Sequence, residues 1–342
     1  MLNKTILVTG GAGYIGSNVV LALKRKDYEV IILDNLINGH RYIAESILQT
    51  KLIVGDIADR PLLDRIFKNN HITAVMHFAA FTYVGESVAE PSKYYHNNVV
   101  GTLILLEAML AAGVKKLIFS STCATYGIPN QIPITETHVL APINPYGASK
   151  LTIERIIKDY DFAYGLKSIV FRYFNAAGAD PSGLLGEDRE PEPHLIPLIL
   201  LTALGKRKSI NIFGTDYPTD DGTCIRDYMH VSDIAKAHVL GLSYLLEEKK
   251  SNIFNLGNGD GFSVKEIIEI SKQVTKRSIP VVDCPRRTGD PAVLVGSNNK
   301  AKKILGWQPE YTDLRQIISH AWLWHSQKQS KYKLSARSFD DI

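Results

Sequence analysis

The chain has 342 residues, 45% of them hydrophobic and 22% charged, with a formal charge of +4, which is ordinary globular composition. So small a charge gives no case for a nucleic-acid surface, although a basic pocket for one anionic ligand would be compatible with it. Three cysteines, Cys123, Cys224 and Cys284, are too few and too scattered for a disulfide framework or a zinc site, so no metal is expected.

The length exceeds what one core usually serves, so one large domain with a smaller lobe is expected: 1–175 for the first, 176–326 mainly for the second, and a polar tail over 327–342 that is a candidate for disorder. Met1 to Gly10 has no signal-peptide layout and no 18-residue apolar span occurs, so a cytoplasmic protein without membrane contact is expected.

Thr5–Thr9 reads as a buried strand and runs straight into T-G-G-A-G-Y-I-G, which opens a helix to about Lys26. Gly10, Gly13 and Gly16, three apart, suit a tight turn that brings backbone and a helix N-terminus against a pyrophosphate. The next strand, Glu29 to Leu33, ends in Asp34, eighteen residues past Gly16. A carboxylate there binds a ribose 2′-hydroxyl and repels a 2′-phosphate, which favours NAD over NADP.

A third strand at Leu52–Val54 leads to Asp56, placed to meet an adenine, and a fourth from Ala74 ends in H-F-A-A-F. His77, at the end of that strand, reads as a structural histidine rather than an acid or base. A helix from about Ser92 to Ala112 precedes a strand from Val114 into Ser120. Alternating strand and helix patterns call for an α/β fold, a Rossmann-type doubly wound parallel sheet with a smaller C-terminal α/β lobe.

Next come S-S-T-C-A-T-Y-G and N-P-Y-G-A-S-K. Tyr146 and Lys150, four apart, share a helix face with Cβ atoms about 5–6 Å apart. A phenol titrates near pH 10, so a tyrosine base needs nearby positive charge, which Lys150 and an oxidised nicotinamide would supply. A hydroxyl from Ser121 or Thr122 is placed to bond the same substrate oxygen, and Cys123 beside it reads as an inert buried thiol. In the second half, Arg226 and Arg287 are candidates for a diphosphate, because guanidinium groups pair with phosphate oxygens. Asp290 would bind a ribose or support its loop.

On G-G-A-G-Y-I-G, L-D-N-L, G-D-I, H-F-A-A, V-G-E-S, N-N-V, S-S-T, N-P-Y-G-A-S-K, R-Y-F-N, F-G-T-D-Y-P-T-D-D-G-T and R-R-T-G-D, the chain resembles the nucleotide-sugar epimerases of the extended short-chain dehydrogenase/reductase family from Gly10 to about Trp324. The resemblance implies NAD contacts at Gly10, Gly13, Tyr14, Ile15, Asp34, Asn35, Asn38, Asp56, Ile57, Phe78, Ala79, Ala80, Asn97, Lys150 and Phe174, with Gly16, Ser120 and Tyr146 completing the cofactor set. It implies Tyr146 as catalytic base with Lys150, and the strand-end hydroxyl at Thr122. Thr122, Tyr146, Asn175, His194, Leu195, Asn211, Phe213, Arg226, Arg287, Asp290 and Leu294 form the expected substrate set. Two positions depart from many relatives: Thr82 replaces a lysine near the cofactor, and His194 replaces an asparagine.

The implied reaction is reversible C4 epimerisation of a UDP-sugar through a 4-keto sugar, by a homodimer formed through helices near 92–112 and 144–163. UDP-glucose/UDP-galactose is the first expected pair, and UDP-xylose/UDP-arabinose or UDP-GlcNAc/UDP-GalNAc are the alternatives. Leu294, where the family borders the sugar 2-substituent, is intermediate in size. A 4,6-dehydratase is disfavoured because Cys123 and Ala124 stand where such enzymes place an acid pair. A non-catalytic NAD-binding scaffold is disfavoured because Tyr146 and Lys150 are both present.

Overall fold

The computed structural model describes residues 4–247, 250–287 and 290–337. Met1 to Asn3, read above for the absence of a leader, and Thr288–Gly289 of the R-R-T-G-D motif lie outside the described residues.

The first half lays down β1 (Thr5–Thr9), α1 (Tyr14–Lys24), β2 (Glu29–Asp34), β3 (Lys51–Val54), α2 (Arg60–Asn69), β4 (Ile72–His77), α3 (Val84–Ala89), α4 (Pro91–Tyr94), α5 (Gly101–Ala111), β5 (Lys116–Thr122) and α6 (Pro145–Tyr164). Then follow β6 (Lys167–Tyr173), β7 (Asn175–Ala177), α7 (Leu195–Ala203), β8 (Ile210–Phe213), β9 (Ile225–Arg226), β10 (Tyr228–His230), α8 (Val231–Leu246) and β11 (Asn252–Leu256). The chain ends with β12 (Phe262–Ser263), α9 (Val264–Thr275), β13 (Val281–Cys284), β14 (Val293–Leu294), α10 (Asn299–Leu305) and α11 (Leu314–Arg337).

Seven strands form one parallel sheet in the order β11-β6-β5-β4-β1-β2-β3. Alternate side chains feed opposite cores, as a pleated strand requires. Ile6, Val8, Ala74, Met76 and Ile118 enter one core, and Leu7, Val75, Leu117 and Phe119 enter the other. Both faces are therefore covered, which is why these strands read as continuous apolar runs. The edge strand β11 comes from the second half of the chain and pairs with β6.

A third core, with Ile199, Leu200, Ile210, Ile267, Leu314 and Ile318, joins α7, α9, α11 and β8 into the smaller lobe. The α11 helix continues past Gln327 to Arg337, so the segment read as a candidate for disorder is helical over its first part, and residues 338–342 lie outside the described residues. The expected helix over 92–112 is interrupted: α4 and α5 flank a π-helical turn at Tyr95–Val100. An inserted residue rotates the side chains that follow it, a device common beside functional sites. Asn97 and Asn98 lie in that turn.

Candidate active site

A cleft of about 1280 Å³ lies along the carboxyl ends of the sheet strands and is closed on its far side by the smaller lobe. That is where an open α/β sheet places its ligand.

At one end, the turn after β1 is built for close approach. Gly10 has φ +71°, and a Cβ on it would meet the Ala79 nitrogen at 2.7 Å; a Cβ on Gly16 would strike the Gly10 oxygen at 2.1 Å. Gly13 differs, because a Cβ there would meet nothing of the protein nearer than 3.4 Å while the residue borders the cleft. Its missing side chain leaves room for a ligand at the N-terminus of α1, where Gly13 caps the helix without a side-chain bond. Asp34 receives the amides of Ala12 (3.0 Å) and Leu36 (2.9 Å), which fixes its carboxylate at the end of β2. Burial raises its proton affinity and those two amides oppose the rise. This cradle and carboxylate fit an NAD pyrophosphate and adenosine ribose, with Phe78, Ala79, Ala80 and Asn97 along the wall towards α6.

Helix α6 begins at an Asn144 cap, whose side chain accepts from the Gly147 amide at 2.8 Å, with Pro145 preset in the first turn. A Cβ on Gly147 would come within 2.5 Å of the Ala124 oxygen, so only glycine lets the helix start lie this close to the turn after β5. That contact joins the chemistry, since the Thr122 hydroxyl, on the same cleft, favours the anion of the Tyr146 phenol. Between the two readings left open above, Thr122 borders the cleft, whereas the Ser121 hydroxyl donates to Glu154 in the buried interior.

Burial pushes the Tyr146 phenol well up, with Tyr173 adding to the rise; the Thr122 hydroxyl and the Arg189 charge pull it down. Burial brings Lys150 down from 10.5 to about 7, against the opposing pull of Glu154. Its ammonium donates to the Ser120 oxygen at 2.9 Å. Among the described residues, the cation whose field lowers the phenol is thus Arg189, a residue the sequence reading did not select.

Arg189 borders the cleft from the loop before α7. It donates to the Thr82 hydroxyl at 2.8 Å and lies 3.4 Å from Glu187. A guanidinium therefore occupies the neighbourhood of the departure noted at Thr82. His194 meets Glu187 at 2.6 Å and Glu192 at 3.5 Å. Partial burial works against its charge, but Glu187 outweighs this and lifts His194 to about 9. Glu187, Glu192 and His194 bring their polar atoms within 4.8 Å of one another. Two cations already lean on Glu187, so the group reads as charge-paired rather than cation-binding.

At the other end of the cleft, β9 pairs with β14 so that Arg226 faces Leu294 in register. Arg226 is paired to Asp290 and also donates to the Ile225 oxygen at 2.8 Å. Arg287 lies over the Phe213 ring at 4.0 Å. Asn175, Leu195, Asn211 and Leu294 complete this wall, and Leu294 packs against the cluster of Tyr126, Ile134 and Phe174.

Of the residues nominated from sequence, Asp56 and the alternative hydroxyl Ser121 do not line the cleft. The Asp56 carboxylate instead accepts from the Asn35 side chain at 2.9 Å and the Ala58 amide at 2.8 Å, which turns it into a support for Asn35. His77 is buried with both ring nitrogens engaged, by Thr9 at 2.6 Å and Thr102 at 2.8 Å, and burial lowers it to about 3, leaving it neutral and structural. Burial lifts Cys123 to about 12, an unreactive thiol. Asn98 was also missed. It clamps Phe81 through the backbone amide (2.9 Å) and oxygen (3.0 Å) and reaches Ser149 at 3.2 Å, tying the cofactor wall to α6. Its signal was the Asn97–Asn98 pair inside an otherwise apolar helix.

Residues 6–257 match the sequence profile of the NAD dependent epimerase/dehydratase family. The chain belongs to that family. A UDP-glucose 4-epimerase of Halalkalibacterium halodurans is 54% identical over 327 residues, 96% of this chain and 97% of that protein. A crystal structure of a UDP-glucose 4-epimerase superposes with a TM-score of 0.93 at 50% identity, covering 95% of this chain and 98% of the other. The UDP-glucose 4-epimerase of Brucella ovis, solved in complex with NAD, gives 0.91 at 45% identity, covering 93% and 97%. Among the described residues no helix is long and apolar enough to cross a membrane.

Proposed function

We infer that this protein is an NAD-dependent 4-epimerase of UDP-sugars, with UDP-glucose and UDP-galactose as its principal pair. The carrying observation is that Tyr146, Thr122 and Lys150 open into the same cleft as the Gly10–Gly16 turn and Asp34. Family membership and about half-identity to UDP-glucose 4-epimerases over nearly the full chain support the same reading.

NAD, when bound, supplies a hydride acceptor beside the sugar C4 and later returns the same hydride, so the net redox change is zero. The turn at Gly10, Gly13 and Gly16 holds its pyrophosphate and Asp34 its adenosine ribose. Tyr146 as phenolate takes the proton of the sugar 4-hydroxyl and gives it back to the 4-keto oxygen once the sugar has turned the other face of C4 towards the hydride. Thr122 donates to that oxygen and keeps it in line with the base. Lys150, held by Ser120, favours the phenolate while it carries its own proton. Arg226 and Arg287 grip the diphosphate, so the sugar turns while the nucleotide stays.

The exposed apolar side chains Tyr95, Val100, Phe162 and Tyr164, on the α4–α5 segment and α6, support a homodimer through these helices. The three free cysteines are consistent with work in the cytoplasm.

The test is incubation of purified protein with UDP-galactose, UDP-GlcNAc and UDP-xylose in separate arms without added cofactor. Fastest conversion of UDP-galactose to UDP-glucose is expected. Fastest turnover of either other sugar would transfer the assignment to that pair, and loss of the 6-oxygen from any hexose arm would make the protein a dehydratase.

A further inference from the structure

The sheet order sets β1 between β4 and β2, so the turn after β1 lies between the segments that follow those two strands. The Gly10–Gly16 turn, assigned above to the dinucleotide pyrophosphate, is therefore flanked by Phe78–Thr82 on one side and by Asn35–His40 on the other. One loop from the second half of the chain, Glu187–His194, is bonded to both flanks. Arg189 donates to the Thr82 hydroxyl at 2.8 Å, across 107 residues of sequence. On the other flank, His40 Nε2 donates to the Asp188 carbonyl oxygen at 3.1 Å, across 148 residues, and lies 3.4 Å from the Asp188 carboxylate. His40 is itself pinned to the glycine turn, because its amide donates to the Ala12 oxygen at 3.1 Å.

The loop has no regular secondary structure, yet its stem is fixed. Its two ends meet where His194, at the start of α7, hydrogen-bonds Glu187 at 2.6 Å. The indole of Trp324, on α11, donates to the Glu187 carbonyl oxygen at 3.0 Å. A compact loop with joined ends is a common functional device, and this one has its stem on the smaller lobe and its contacts on the strand ends opposite. Glu187, Arg189, Glu192 and His194 border the cleft, while Glu190 and Pro191 face away into solvent. The inner side of the loop thus looks onto the space between its two anchors.

We propose that Glu187–His194 is a clasp that retains NAD, closed on one flank of the glycine turn by Arg189 on Thr82 and on the other by Asp188 on His40. A dinucleotide seated in the turn leaves only when the clasp has opened. This deepens the NAD-dependent reading above and rests on it: a reaction that returns its own hydride needs no exchange of cofactor, so slow release costs the cycle nothing. The clasp also gives Thr82 a task. A hydroxyl accepts the guanidinium hydrogen bond, whereas a lysine at that position would set a second cation against Arg189.

The test loads wild type and variants with radiolabelled NAD, chases with unlabelled NAD, and follows release; uptake by stripped protein is followed by rapid filtration. Arg189→Ala and Thr82→Val should each speed release about tenfold, the loss of one hydrogen bond from a charged donor. The double variant should be no faster than the quicker single one, because both remove the same bond. His40→Ala should speed release by about threefold or more, as a weaker anchor is cut. Uptake should quicken with release, leaving Kd within about threefold of wild type, since a clasp bars entry and exit alike. Thr82→Val and His40→Ala leave the loop sequence intact and carry the test if Arg189→Ala misfolds. Unchanged release in these variants overturns the proposal, whether or not Tm falls. Faster release with unchanged uptake also overturns it and makes Arg189 a direct contact of the cofactor, as do additive effects of Arg189→Ala and Thr82→Val. An NAD-loaded wild type inactive on every UDP-sugar would strike the functional reading instead, while the release rates would still decide the clasp.

Discussion

Replacing Lys150 by methionine should make the protein more stable and inactive, with a stability gain that depends on pH in a definite direction. Lys150 is 2% exposed, and burial lowers its proton affinity from 10.5 to about 7. An unfolded lysine keeps its proton to pH 10.5, so between about 7 and 10.5 the unfolded chain binds more protons and wild-type stability rises with pH. The folded charge thus costs roughly 5 kcal/mol below pH 7, a cost that shrinks to nothing as pH approaches 10.5. Methionine carries no charge, but it leaves the Ser120 oxygen without the ammonium, a loss of about 1–3 kcal/mol. The expected net gain is about 2–4 kcal/mol at pH 6, falling and then reversing by pH 10. Urea unfolding of both proteins at matched NAD content across that range reads the difference directly. A pH-independent difference, or a variant less stable at pH 6, would refute the claim that the site holds a desolvated ammonium.

Tyr146→Phe should lose about 10²–10⁴-fold in kcat while retaining bound NAD, checked by assay and by cofactor release on denaturation. Gly147→Ala drives a Cβ to 2.5 Å from the Ala124 oxygen and should lower kcat and Tm together by pulling α6 off the Thr122 turn. Arg226→Glu should raise KM for the UDP-sugar well over tenfold with NAD content unchanged, because Arg226 lies at the far end of the cleft from the Gly10 turn; an equal loss of both would contradict the assignment. Asp34→Asn should narrow the preference for NAD over NADP, measured by reconstitution of stripped protein with each dinucleotide.

The parallel sheet was legible because its central strands are buried on both faces and each glycine of the first turn has a steric task that a side chain would defeat. The placement of Tyr146, Lys150 and Asp34 on one cleft was legible because their spacing fixes their face or strand end. Local pattern gave no access to features that depend on contact between distant segments. Arg189 sits in the charged loop Glu187–Glu190 and gains meaning only when it crosses to Thr82, 107 residues away. Gly147 looks like any helix glycine until Ala124 lies against it. The π-helical turn at Tyr95–Val100 breaks a periodicity that otherwise reads as one helix. At Asp56 the sequence could not show that the carboxylate also braces its neighbour Asn35.

The account stands on one carbon being oxidised and reduced again in the same cleft, and UDP-galactose deuterated at C4 tests that most directly. Conversion in ordinary water, followed by mass and NMR analysis of the product, should give UDP-glucose with deuterium retained at C4. Deuterium lost to solvent, or found at another carbon, would contradict it.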